Sequence, residues 1–297
     1  MDLHLLTRID NKKQNLSKGQ RLIAKYIEEN YDKAAFMTAL KLGDTVGVSE
    51  STVVRFAMEL GYDGYPKLQK AMQEMIRDKL TSLQRIDVTA SRISDENILE
   101  SVLNQDIDKI RRTLEETSYD DFNEAVNSIV KAKTIYIYAV RSTTALSNFL
   151  GYYLQLIFGN VRVINSTNKS EIYEHLFRIS GEDVIIGISF PRYSQAAAHT
   201  MKFAHERGAS VVAITDSMMS PIVSYADSVL IARSDMASVV DSLVAPLSLI
   251  NALIVATVIK NKESVKMTFA KLEDVWTQQG VYANSSVNQS NNSNDEK

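Results

Sequence analysis

Residues 40–65 read LKLGDTVGVSESTVVRFAMELGYDGY, and this stretch decides the N-terminal fold. A helix predicted over 39–46 ends near Val46, Gly47 makes the turn, and Ser49 is placed to cap a second helix predicted over 50–60. On a helical wheel Val53, Phe56, Ala57 and Leu60 fall in one stripe about 100° wide, while Ser51, Thr52, Arg55 and Glu59 fall on the opposite face. Gly61 ends this helix in a left-handed cap, and Pro66 opens a further one running to about residue 80. Upstream, LSKGQRLIAKYIEEN (16–30) begins with a capping box, Ser17 and Gln20, and continues with a stripe of Leu22, Ile23, Tyr26 and Ile27. A helix with one packed face and one face of small polar residues plus an arginine is what a major-groove reader needs. Any short amphipathic helix with a good cap gives the same wheel.

Outward from this stretch the pattern changes twice. Residues 81–95 (TSLQRIDVTASRISD) are polar and weakly periodic and read as a linker; helices follow over 96–117 and 119–131. From Lys133 onward, β-branched runs at 134–140, 161–164, 183–189, 210–215 and 227–232 alternate with helices at about 143–158, 171–179, 194–207 and 241–260. That alternation predicts a parallel sheet with helices on both faces. The tail, 281–297, is rich in Asn and Ser and is expected to be disordered. The expected architecture is therefore an all-α head, residues 1–80, a linker, 81–95, and an α/β domain with leading helices, 96–280.

Composition narrows the function classes. The 297-residue chain contains no cysteine, so disulfides and thiolate metal sites are ruled out and a cytoplasmic setting is expected. Neither a secretory signal nor a membrane-spanning run is seen in the sequence. Residues 1–80 hold 13 Lys+Arg against 11 Asp+Glu, whereas the remainder holds 20 against 25. A slightly basic head on an acidic body is compatible with DNA binding, and equally with a plain solvated domain.

The string VSESTVVRFAMELGYDGYPKL closely resembles the RpiR/MurR family of transcription regulators, in which a serine-capped helix reading TVxRF precedes LG and a D-G-[FY] turn. The resemblance implies a helix-turn-helix that binds duplex operator DNA, with Ser49, Ser51, Thr52 and Arg55 as contact candidates. Lys18, Tyr65 and Lys67 are candidates for phosphate contacts, or plain surface residues. Gly43 stands where such motifs usually carry alanine, and both residues permit a close helix approach.

A parallel sheet puts ligands beyond the carboxyl ends of its strands. Two loops there place hydroxyls at helix N-termini: AVRSTTA (139–145) and ISFPRYSQA (188–196). Helix N-termini attract anions, although Ser142, Thr143 and Ser194 would also serve as ordinary caps. This half, about 130–262, resembles the SIS (sugar isomerase) domain, which binds phosphosugars. The resemblance makes Ser142, Thr143, Ser189 and Ser194 ligand-binding candidates. It also shows departures: Ala139 and Arg141 replace two glycines, Pro191 replaces a serine, and Arg192 replaces a glycine. Pro191 removes a donor from the anion nest. Arg141 and Arg192 either restore anion affinity by bidentate pairing or point into solvent.

SIS domains also occur in isomerases, so a sugar-phosphate isomerase with an accessory DNA-binding head is the competing reading. Such chemistry needs a positioned base. His199, within helix 194–207, is the nearest candidate, while His175 and His205 read as surface residues. Metal-ligand spacings and cofactor motifs are not found in the sequence, so neither a metal nor a cofactor is expected. The expected partners are operator DNA, an anionic sugar effector and a second copy of the chain, paired through helix 96–117 and helix 241–260.

Overall fold

A computed structural model of the chain describes residues 4–76, 86, 97–234 and 240–282. The expected linker, save Ile86, and the expected tail, save Val281 and Tyr282, lie outside the described residues.

The head contains α1 (His4–Lys12), α2 (Lys18–Ala34), α3 (Ala39–Val46), α4 (Glu50–Glu59) and α5 (Tyr65–Ile76). The capping box forms: the Ser17 N–H donates to Gln20 Oε1 at 2.9 Å, and the Gln20 N–H donates to Ser17 Oγ at 3.3 Å. From α2 the core takes Ile23, Ala24 and Ile27, and Leu22 is left exposed, so the predicted stripe is rotated by a fraction of a turn. The α4 stripe is as expected, with Val53, Phe56, Ala57 and Leu60 all buried. Fully burying a side chain such as Val53 or Phe56 contributes about 1.5–3 kcal/mol. α4 ends in a paired Schellman arrangement, in which the Tyr62 N–H donates to the Ala57 carbonyl at 3.0 Å and the Gly61 N–H to the Met58 carbonyl at 2.9 Å. Gly61 adopts φ +84°, the left-handed value this motif requires.

α6 (Ile98–Glu116) and α7 (Tyr119–Lys131) lead into the second half. There β1 (Ile135–Ala139), α8 (Thr144–Ile157), β2 (Val161–Ile164), α9 (Lys169–Leu176), β3 (Val184–Ile188), α10 (Gln195–Glu206), β4 (Ser210–Thr215) and β5 (Ser228–Ile231) follow in turn. α11 (Val244–Lys260) and α12 (Lys262–Gln279) close the described chain. The five strands are parallel, in the order β2-β1-β3-β4-β5. Strand alternation divides the core between the two faces. Ile135, Ile137 and Ala139 pack toward α7, α8 and α11, while Tyr136, Tyr138 and Val140 pack toward α9 and α10. The sequence did not signal α12 because its pattern is mostly polar; Val265 is its buried residue among those described.

Among the described residues no single helix is long and apolar enough to cross a membrane. α11 and α12 together have the apolar length, but they meet at 98°, and α11 buries Leu249, Ile250, Leu253 and Ile254 in the sheet core.

The strand order reverses direction at β1: the chain steps from β1 outward to β2, then back across to β3. Such a switch point opens a crevice between the loops that leave the two central strands. Here these are the two hydroxyl-bearing loops.

Candidate functional site

Two regions carry chemistry. The first is the exposed face of α4. Gly47 sits at φ +76° and lets α3 turn into α4 within three residues. At Gly43 the approach is closer than the sequence suggested. A Cβ there would lie 2.7 Å from the Val48 carbonyl oxygen, inside any real contact, so alanine needs the backbone to shift.

Ser49 occupies the N-cap position with extended backbone angles, but its hydroxyl makes no cap bond. Instead Ser49 Oγ lies 3.0 Å from Ser51 Oγ and 2.9 Å from Thr52 Oγ1, forming a cluster of three hydroxyls at the start of the helix. The expected capping role is therefore corrected. The hydroxyl of Ser49 holds its neighbours' side chains rather than the helix N-terminus. Arg55 is exposed one turn on, its Nε donating to the Ser51 carbonyl at 3.2 Å. Glu59, on the same face of the wheel, is drawn to α1 by Lys12 at 3.3 Å.

The three phosphate candidates separate. Lys18 is exposed at the first turn of α2, and this turn packs against α4, since a Cβ at Gly19 would lie 3.4 Å from Thr52 Cγ2. Lys67 is exposed on α5. Tyr65 is not a surface residue. It is buried, its hydroxyl donates to the Met37 carbonyl at 2.7 Å, and burial pushes its phenol well above the ordinary range. Its aromatic body belongs to the head's core, and its polar tip satisfies a carbonyl just beyond the end of α2, so it is removed from the DNA-contact set.

The second region is a cleft of about 270 Å³ at the switch point. It is lined by Arg141, Ser142 and Thr143 from the β1 loop and by Ser189, Arg192 and Ser194 from the β3 loop, so all six predicted ligand residues meet there. Their roles differ from those expected. Thr143 is buried, and its hydroxyl lies 2.8 Å from the Val140 carbonyl and 3.4 Å from that of Ile188, so it ties the β1 loop to the end of β3. With its proton held by carbonyls, Thr143 is corrected from an anion donor to a brace between the loops. Ser194 stands at the N-cap of α10 without a side-chain cap bond, so capping does not use its hydroxyl. Ser142 lies in the 3-10 turn Arg141–Thr143 that enters α8.

Arg141 has φ +62°, the left-handed region glycine usually fills. Its backbone thus keeps a glycine-like conformation at the rim of the cleft, and the residue is exposed. Pro191 and Phe190 are buried apolar parts of the wall. Sequence reasoning missed Asp241, which lines the cleft from the segment entering α11. It lies 47 positions from Ser194, and only tertiary folding brings it to the cleft. His199 lies on the exposed side of α10 and is not among the lining residues. Among the described residues no group of His, Cys, Asp and Glu is arranged to hold a metal ion.

Comparison with known proteins matches both halves of the chain. The model of the helix-turn-helix domain of the rpiR family matches residues 3–79, and that of the SIS domain matches residues 128–256. An HTH-type transcriptional regulator of Haemophilus influenzae is 27% identical over 232 residues, covering 77% of this chain and 79% of that protein. A Clostridium perfringens HTH-type transcriptional regulator is 22% identical over 75% of this chain and 79% of its own length. Among solved structures, the sugar isomerase domain of an RpiR transcription factor from Sphaerobacter thermophilus aligns with a TM-score of 0.56 at 25% identity, covering 59% of this chain and 97% of that one. The Vibrio vulnificus NanR protein complexed with ManNAc-6P aligns with a TM-score of 0.54 at 22% identity, over 94% of this chain and all of that one. With the reading helix in the head and the hydroxyl cleft at the sheet's switch point, the chain belongs to the RpiR family of helix-turn-helix transcription regulators that carry an SIS domain.

Proposed function

We propose that this protein is a homodimeric, cytoplasmic DNA-binding regulator whose operator affinity is set by a sugar phosphate held in the cleft between the β1 and β3 loops. The observation that carries the ligand class is the meeting of Ser142, Ser189 and Ser194 with Arg141 and Arg192 at the sheet's carboxyl edge. Hydroxyl donors and guanidinium groups beside the N-terminal turns of α8 and α10 suit a phosphate monoester. The sugar phosphate in the Vibrio vulnificus NanR complex supports the same class. Sensing is favoured over turnover because His199, the base the sequence offered, lies outside the lining, and because the chain carries a DNA-reading head.

The dimer rests on an apolar face. Leu99, Leu103, Ile107 and Leu114 of α6 are exposed, and beside them lies a groove of about 350 Å³ lined in part by Ile110, Tyr119, Phe122 and Leu249. A face of this kind marks an interface, and a second copy supplies the matching surface by two-fold symmetry.

α6 is tied to the segments around the cleft. Ser242, next to Asp241, donates to Asp106 at 2.6 Å, and the N–H of Arg233 donates to Thr113 Oγ1 at 2.8 Å. A ligand that displaces these segments bears directly on the helix nearest the linker.

The test is selection of DNA from a random library, followed by footprinting and titration with sugar phosphates. An inverted repeat is expected, with binding altered by at least one phosphosugar. Arg55→Ala should weaken the selected site by about 1–3 kcal/mol and relax specificity at one base position. Unaltered affinity of a folded Arg55→Ala variant, or a footprint without two-fold symmetry, would refute the reading.

A further inference from the structure

The anion-binding reading leaves one lining group without a task. Asp241 is the one carboxylate among the cleft's described lining residues. It belongs to neither hydroxyl loop, but to the segment entering α11, and so forms a third wall. The segment beside it is anchored. Immediately after it, the Ser242 carbonyl accepts from Ser234 Oγ at 2.9 Å, and Ser242 Oγ donates to Asp106 Oδ1 at 2.6 Å. Asp106 is itself held by Lys109 Nζ at 3.1 Å, in a pair largely shielded from water.

A carboxylate only accepts hydrogen bonds. A phosphate therefore seats against the serines and arginines, and Asp241 takes what the rest of the ligand presents: a sugar hydroxyl, or an amine, which it would hold more strongly. A second carboxylate on the ligand would meet a like charge. The volume, about 270 Å³, lies just under the ~300–1,000 Å³ of sites for drug-sized ligands, which suits one phosphorylated monosaccharide.

We propose that Asp241 selects the uncharged or amino end of the effector, so that the cleft accepts phosphate monoesters of neutral or amino sugars and rejects phosphorylated sugar acids. This rests on the sugar-phosphate reading above and narrows it.

The test is calorimetry on the full chain with inorganic phosphate, a set of hexose and hexosamine 6-phosphates, and the aldonate 6-phosphates that match them. The wild type should bind at least one neutral or amino sugar phosphate about tenfold or more tighter than its aldonate partner. Asp241→Asn should bring that ratio to within about threefold, chiefly by tightening the aldonate phosphate, and Asp241→Glu should keep the original order. Unchanged melting temperature and ligand-free DNA binding establish that each variant is folded. A wild type that binds aldonate and sugar phosphates alike, or an Asp241→Asn variant with the wild-type ratio, overturns the assignment of Asp241 and leaves the anion cleft standing. If phosphate and every phosphorylated probe fail to bind the wild type, the sugar-phosphate reading falls and the Asp241 assignment falls with it.

Discussion

Arg141 offers a test in which backbone and side chain can be separated. Its φ of +62° places a residue with a Cβ in left-handed space, which costs roughly 1–2 kcal/mol for a non-glycine residue. Arg141→Gly relieves that strain but adds backbone entropy to the unfolded chain, about 0.5–1 kcal/mol. The net gain is on the order of 0.5–1 kcal/mol, or a rise of about 1–4 °C in the melting temperature of a domain this size. Arg141→Ala keeps the strain and loses only the side chain, so its melting temperature should stay near the wild type. Ligand affinity should follow a different order. A hydrogen bond to a charged group is worth about 1.5–3 kcal/mol, and Arg141 is exposed, so the lower end applies, or about tenfold in Kd. Both variants should lose that factor for a sugar phosphate while keeping ligand-free DNA binding. Thermal unfolding with calorimetry reads both quantities. A glycine variant less stable than the alanine variant would refute the left-handed conformation. Wild-type affinity in both variants would place the guanidinium outside the ligand's reach.

Three further outcomes follow from the packing. Gly43→Ala forces a methyl to 2.7 Å from the Val48 carbonyl and should destabilise the head by about 1–3 kcal/mol in urea unfolding, with loss of DNA binding. Tyr65→Phe should cost only about 0.5–1.5 kcal/mol, because the Met37 carbonyl still accepts from Gln69 Nε2 at 2.8 Å; the salt dependence of DNA binding should not change, since no phosphate contact is removed. Asp106→Ala leaves Lys109 as an uncompensated, largely buried charge and should cost about 3–5 kcal/mol, whereas Lys109→Met combined with Asp106→Leu should recover most of that loss, short of what the Ser242 hydroxyl loses with its acceptor.

Much of the fold was legible because it is written in local pattern. Each of the five strand runs lies within one residue of its observed strand at either end, since β-branched runs bounded by turn signals need no distant partner to be recognised. The capping box at Ser17 is equally local. α12 escaped because a mostly polar helix that buries little leaves a weak apolar period. Leu22 was misplaced because the wheel gives a stripe's width, while its orientation depends on what packs against it.

The site shows where local pattern stops being informative. Residue type and position relative to a strand end brought all six ligand candidates to one cleft. They did not reveal which way each hydroxyl points. Thr143 and Ser194 both stand at helix N-termini, yet one hydroxyl is held by carbonyls of two loops and the other makes no cap bond. Tyr65 follows the D-G turn where a phosphate contact was plausible, but its hydroxyl finds a carbonyl 28 residues away. Asp241 carries no local signal at all, since its neighbours in the cleft come from strands earlier in the chain. The substitutions at glycine positions are the most telling case. By size alone, Gly43 and alanine are interchangeable, and Arg141 for glycine is a gross change. In the structure the order inverts: alanine at 43 collides with the backbone of the turn, while Arg141 adopts the conformation glycine would have at an exposed position beside the cleft. What a glycine position tolerates depends on the backbone angles and the space at that point, and neither is encoded in residue size.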